Sequence, residues 1–162
     1  MTPVKKSRPV LILSNCQNEV PLGAAFTVSA AKAVSGIFAA ERCARGGNVN
    51  VCVMNDRQIR AINRLYLGHN SATDVISFNL QERKNGAMQA EIAVSAQTAA
   101  RNASKYGNST KKELLVYIIH GVLHAMGYDD RTETERTIMQ KKTDALIEPL
   151  FPVKNNKRKT RE

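Results

Sequence analysis

The stretch STKKELLVYIIHGVLHAMG, residues 109–127, constrains the fold more than any other part of the chain. Ser109 or Thr110 is placed to cap a helix, Glu113 falls in its first turn, and Gly127 closes it. Leu114, Leu115, Ile118, Ile119, Val122 and Leu123 make this helix apolar around most of its circumference, the pattern of a buried helix.

The flanking segments supply what could surround it. RPVLILSN (8–15) reads as a short buried strand. Phe26, Ala30, Ala33, Val34, Ile37 and Phe38 recur at helical spacing, with Gly46-Gly47 as the helix stop. NVNVCVMN alternates and is rich in valine, so it reads as a strand. Asn55 or Asp56 then caps a helix whose stripe is Ile59, Ile62, Leu65 and Tyr66, stopped by Gly68. TDVISFNL and AEIAVS read as strands joined by the polar turn ERKNGAMQ. A helix opened by Ser95 or Ala96 ends at Gly107, and Thr132-Glu-Thr-Glu135 spells the capping box of a last helix that stops before Pro149. The order predicts an α+β fold: a single domain over 1–153 with a small mixed sheet of about four strands and five or so helices. No Rossmann glycine fingerprint or P-loop occurs, so nucleotide binding has no support.

The chain of 162 residues is long enough for one well-developed core. Cys16, Cys43 and Cys52 have no CxxC spacing, which argues against a disulfide framework or a thiolate zinc site and for small buried hydrophobes. The formal charge of +10 is concentrated at the ends, in Lys5, Lys6 and Arg8 and in the tail KNNKRKTRE (154–162), expected to be disordered. Basic arms without an amphipathic apolar face point to nucleic acid rather than to membrane. The VLIL run is too short for a signal peptide, no stretch is long and apolar enough to span a bilayer, and a cytoplasmic protein is expected.

Within the buried helix, His120 and His124 stand at i and i+4 and share a face. Buried imidazoles need partners for their ring nitrogens, and either a shared metal ion or separate protein neighbours would provide them. Past Gly127, Tyr128-Asp129-Asp130 can bring a carboxylate back beside the rings. Two nitrogens, one carboxylate and an open position make a catalytic-zinc donor set. The bland alternative for Asp129 or Asp130 is to cap the last helix. Gly121 stands where the HExxH metalloprotease motif carries its general base, so a zincin protease is disfavoured.

HGVLHAMGYDD (120–130) resembles the hallmark of the YbeY family of bacterial ribosomal RNA maturation factors, His-Gly-x-Leu-His, then Gly-Tyr-Asp and a third histidine. INRLYLGHNSATDVISFNL and AEIAVS are similar to two further segments of that family, and the resemblance covers roughly residues 48–148. It implies a metal-dependent, single-strand-specific endoribonuclease acting in 3′-end maturation of small-subunit ribosomal RNA and in ribosome quality control. It also implies a single zinc ion in a cleft on the His120/His124 helix. The family's third histidine falls at Asp130, which becomes the expected third ligand after His120 and His124, with Asp129 as a supporting or capping residue. A carboxylate there widens the expected metals to manganese or iron. The family's phosphate-binding arginine falls at Leu67, and Arg64, three residues earlier, is the expected substitute.

The expected catalytic residues are therefore Arg64, His120 and His124, and the expected partners are single-stranded ribosomal RNA and the small subunit. Arg57, Arg60, Lys111 and Lys112 are further cations for phosphate, while His69, Thr73, Asp74 and Ser77 read chiefly as surface or structural residues. The alternative from a different class is a non-catalytic RNA-binding assembly factor whose metal is structural. A hydrolase of other esters or peptides is weakened by Gly121.

Overall fold

Val49, Val51 and Val53 alternate with more exposed neighbours along the second strand, and each is at most 2 % exposed. Met88, Ala90, Ile92 and Val94 are likewise buried on another strand and point the same way, so two adjacent strands present one apolar face to a common core. The computed structural model describes residues 7–43, 45–81 and 86–152. The elements in order are β1 (Pro9–Asn15), α1 (Ala24–Ala40), β2 (Gly47–Met54), α2 (Asp56–Ile62) with a π-helical turn (Asn63–Leu67), β3 (Val75–Asn79), β4 (Met88–Ser95), α3 (Ala96–Tyr106), α4 (Thr110–Ala125), α5 (Glu133–Ile147) and a 3-10 turn (Glu148–Leu150). The sheet has four strands in the order β1-β2-β4-β3. β1, β2 and β4 run parallel and β3 pairs antiparallel to β4. This is the α+β domain with a mixed sheet that the sequence predicts.

α4 is the central helix. It packs against α1, α3, α5, β3 and β4, which explains why its sequence is apolar nearly all round. Leu114, Leu115, Ile118, Ile119 and Val122 are fully buried, each such side chain contributing about 1.5–3 kcal/mol by leaving water. Gly121 lets α4 approach the sheet: a Cβ there would lie 2.6 Å from Ile92 Cγ2 and 3.1 Å from Val75 Cγ2. The caps follow the sequence closely. Asn55 with Gln58 and Thr132 with Glu135 form capping boxes, and Ser95 and Ser109 accept from the amides of Thr98 and Lys112.

Several expectations need correction. β1 is an edge strand, not a buried one, with Val10 52 % and Ile12 55 % exposed. The face of the sheet away from α1 and α4 is covered by α2 near β3 and β4, through Ile59, Ile76 and Ala93, and that cover stops short of β1. The stripe Ile59-Ile62-Leu65-Tyr66 also breaks. Ile59 is buried, but Leu65 is 74 % and Tyr66 64 % exposed, because backbone bonding turns π-helical at Asn63 and rotates the later positions outward. α1 ends at Ala40, before Gly46-Gly47, and Gly47 instead opens β2, where a Cβ would collide with the Met88 backbone. None of the cysteines is buried: Cys16 is exposed, and Cys43 and Cys52 are intermediate. Residues 82–85 of the ERKNGAMQ turn and the basic tail 154–162 lie outside the described residues, and Met88 and Gln89, expected in that turn, begin β4.

Candidate functional site

Helix geometry at the end of α4 decides where the two histidines can reach. Beyond the cap at Met126, Gly127 takes φ 101°, a conformation that favours glycine, and the chain reverses so that the Tyr128 amide donates to the Leu123 carbonyl at 3.1 Å. The reversal brings the Tyr128 carbonyl to 3.0 Å from His124 Nδ1. A carbonyl can only accept, so that nitrogen carries a ring proton, and in the neutral ring the lone pair lies on Nε2. His124 Nε2 faces Asp130 Oδ2 at 3.6 Å. Two acceptors facing each other in this way are satisfied by a cation or proton between them.

His120 lies one turn earlier and is more enclosed. Its Nε2 is buried and has no hydrogen-bond partner. Burial, foremost, holds its pKa below the ordinary histidine value, against the opposing negative charge of Asp74 and, more weakly, of Asp130 and Glu113; His124 pushes in the same direction as burial. The imidazole is therefore neutral near pH 7, the form that ligates metal. The charged and titratable groups that act on His120 are Asp74, His124, Asp130 and Glu113.

The residues fit a divalent ion in kind. Donors about 2.0–2.2 Å from one tetrahedral zinc stand about 3.4 Å apart, near the 3.6 Å between His124 and Asp130. Among the described residues, however, no three His, Cys, Asp or Glu side chains converge as a complete metal-holding group. His124 and Asp130 are brought together, and His120 stands beside them with its orphan nitrogen. The Asp130 side chain is 56 % exposed and unconfined by packing. Its carbonyl is held by Arg136 Nη1 at 3.1 Å, so α5 fixes the backbone while leaving the carboxylate free to turn.

Asp129 is neither a cap nor a partner of the histidines. Thr132 caps α5, and Asp129 accepts from the Asp130 amide and pairs with Arg131 at 2.9 Å. Ser77 Oγ donates to the Gly121 carbonyl at 2.7 Å and Asn79 Nδ2 to the Ala125 carbonyl at 2.9 Å, so β3 grips α4 at both ends of the turn that carries the histidines. Asp74 opens β3 by accepting from the Val75 amide and the Thr73 hydroxyl, the structural part expected of it, and its charge also acts on His120. Arg64 is exposed on the π turn. The i→i+5 bonding there removes the α-helical alignment with Leu67 that its expected substitution for the family arginine requires. Arg57, His69 and Lys111 are exposed, and Arg60 Nε donates to Asn70 Oδ1 at 3.0 Å.

Sequence reasoning missed Glu41 and Lys142. Tyr128 donates its hydroxyl to Glu41 Oε2 at 2.7 Å, and Lys142 Nζ reaches Glu41 Oε1 at 2.6 Å while lying 4.7 Å over the Tyr128 ring. Partial burial raises the Glu41 carboxyl, but the bonds from Lys142 and Tyr128 outweigh it and leave its pKa lowered. Nothing local in the sequence joins residues 41, 128 and 142. A cavity of about 700 Å³ lined by Glu41, Arg42, Arg45, Asn79, Met88 and Met126 opens past the end of α4. None of His120, His124 and Asp130 lines it, so the polar geometry, and not cavity size, locates the candidate site.

No helix among the described residues is long and apolar enough to cross a membrane. The family model described as Endoribonuclease YbeY matches residues 13–150. An Endoribonuclease YbeY of Pelotomaculum thermopropionicum is 34 % identical over 145 residues, covering 86 % of this chain and 95 % of its own length. One of Elusimicrobium minutum is 39 % identical over 118 residues, covering 71 % and 80 %. The solution structure of a Thermotoga maritima protein superposes with a TM-score of 0.60 at 23 % identity, covering 94 % of this chain and all of that one, a likeness of fold. With the match running from β1 through α5 and including the histidine helix, the chain belongs to the Endoribonuclease YbeY family.

Proposed function

We propose that this protein is a metal-dependent endoribonuclease that cuts single-stranded RNA in 3′-end maturation of small-subunit ribosomal RNA and in ribosome quality control, working in the cytoplasm. Its relatives' shared name supports the nuclease activity. The observation that carries metal dependence is the lone pair of His124 Nε2 turned toward the Asp130 carboxylate, beside the unpartnered Nε2 of His120. His120, His124 and Asp130 would hold one divalent ion, zinc in the first instance, with manganese or iron accommodated by the carboxylate. The chemistry such an ion supplies is Lewis acidity toward water and toward a phosphoryl oxygen.

The chain's own groups do the rest. The Tyr128 carbonyl keeps the His124 proton on Nδ1 and so keeps Nε2 available. Burial keeps His120 neutral. Exposed Arg64, with Arg57, Arg60 and Lys111, neutralises backbone phosphates and counters the charge that builds up as the phosphodiester is attacked. Gly121 leaves no carboxylate in the position of a zincin's general base, and Ile92 and Val75 leave no space for one.

The test is cleavage of single-stranded and duplex RNA by purified protein before and after chelation, with elemental analysis, next to His120→Ala. The proposal expects single-strand cleavage that chelation abolishes, readdition of metal restores, and His120→Ala lacks. The exposed Leu67 in the place of the family arginine favours a second reading, an RNA-binding assembly factor with a structural metal. Under that reading His120→Ala lowers thermal stability while no metal-dependent cleavage is found in the parent protein.

A further inference from the structure

Away from the histidine helix, two thiols meet on the other face of the sheet. Cys16 Sγ and Cys52 Sγ are 2.7 Å apart. Cys52 alternates with the buried Val51 and Val53 on β2, so its side chain projects from the face turned away from α1 and α4. Cys16 follows β1 directly, and its amide donates to the Val53 carbonyl at 2.8 Å, continuing the register that pairs Ser14 with Cys52 and Asn15 with Val53. Gln58 of α2 donates its side-chain amide to the Cys16 carbonyl at 2.9 Å. Three elements thus hold the Cys16 backbone where its sulfur meets that of Cys52. Cys16 is open to solvent and Cys52 is partly covered. Cys43 belongs to another part of the molecule, just past α1, where its thiol points at the Glu41 carbonyl.

We propose that Cys16 and Cys52 form a redox modification site, oxidised by peroxides to an intramolecular disulfide. The exposed Cys16 sulfur attacks a peroxide oxygen, the O–O bond breaks, and one water leaves with a Cys16 sulfenic acid behind. The Cys52 sulfur then displaces the sulfenic hydroxyl as a second water and closes the S–S bond. Two thiols lose two protons and two electrons, and one peroxide becomes two waters. The division of labour follows from the surroundings. Burial first, then the contact with Cys16, pushes the Cys52 thiol up to about 12, so the accessible Cys16 reacts first; its oxidation changes the thiol contact, and the Cys52 proton leaves with the sulfenic hydroxyl as the second water. The bond would enclose the whole of α1 in a covalent loop and tie the free edge strand β1 to β2, restricting the unfolded chain.

The experiment uses the full-length reduced protein, freed of metal by chelation, and hydrogen peroxide as the probe. It requires neither RNA nor a bound ion, and so stands or falls apart from the nuclease reading. Titratable thiols, counted after denaturation, are expected to fall from three to one. Peptide mapping is expected to find Cys16 joined to Cys52 within one chain, and the urea midpoint to rise and return after treatment with dithiothreitol. Cys16→Ser, a change at an exposed position, is expected to keep both remaining thiols at the same dose. A count that stays at three, consumption of Cys43 before the pair, or a linkage only between separate chains would overturn the proposal.

Discussion

His124 Nδ1 lies 3.0 Å from the carbonyl oxygen of Tyr128, and the Tyr128 side chain is anchored in turn by Glu41 and Lys142. The imidazole is thereby oriented, through Tyr128, by the C-cap residue of α1 and a lysine of α5. Glu41→Gln and Lys142→Met are expected to loosen Tyr128 and weaken metal binding, by less than the roughly 10- to 100-fold that losing a group bonded directly to a metal ligand costs. Competition against a chromophoric chelator measures this without any RNA. Affinities equal to the parent protein's would show that the anchor does not reach the ring.

Asp130 stands where the motif that HGVLHAMGYDD resembles carries a third histidine. Asp130→Ala is expected to lose stoichiometric metal, while Asp130→His keeps it and shifts preference from manganese toward zinc, since imidazole is the softer ligand. Elemental analysis after dialysis against mixed metals reads both outcomes. Full metal content in Asp130→Ala would exclude this side chain as a ligand.

Restoring the arginine tests what Leu67 costs. Because position 67 is half-exposed, Leu67→Arg should fold normally. Single-stranded RNA binding should strengthen, and the slope of log affinity against log salt should steepen by about 1, one added phosphate contact. An unchanged slope measured by fluorescence anisotropy would place position 67 off the RNA path.

Gly121→Ala probes the closeness of α4 to the sheet. Although alanine is the better helix former, its Cβ would meet Ile92 Cγ2 at 2.6 Å. The expected loss is about 1–3 kcal/mol by overpacking, read as a lower urea midpoint at an unchanged m-value.

Asp56 gives a pH dependence with a definite sign. Partial burial raises its pKa, but bonds from Ser95, Arg101 and Thr98 outweigh that and leave it below its ordinary value of 3.8. A lowered folded value means that the unfolded chain takes up the proton first as pH falls. The stabilisation is therefore complete well above pH 3.8 and is lost as pH drops through the folded value. Asp56→Asn should flatten the acid limb of stability against pH and cost about 1.5–3 kcal/mol at neutral pH, the range for charge-assisted bonds. Urea melts from pH 7 to pH 3 measure both.

Local pattern alone carried the order of strands and helices and the burial of α4, and narrowed the caps to neighbouring pairs, Asn55 or Asp56, Ser95 or Ala96, Ser109 or Thr110, because capping and apolar periodicity act within a few residues of chain. The structure chose Asn55, Ser95, Ser109 and, for α5, Thr132 over Asp129 or Asp130. The i, i+4 spacing likewise put His120 and His124 on one face. Tertiary structure decided everything that depends on which surfaces are covered. Val10 and Ile12 look like core in the string and are exposed because α2 covers only the far side of the sheet. Leu65 and Tyr66 leave their stripe when bonding turns π-helical. The anchoring of Tyr128 by Glu41 and Lys142, and the meeting of Cys16 with Cys52, join residues far apart along the chain. No periodicity links such positions. Only packing α1 and α5 around α4, and pairing β1 with β2, brings them within reach.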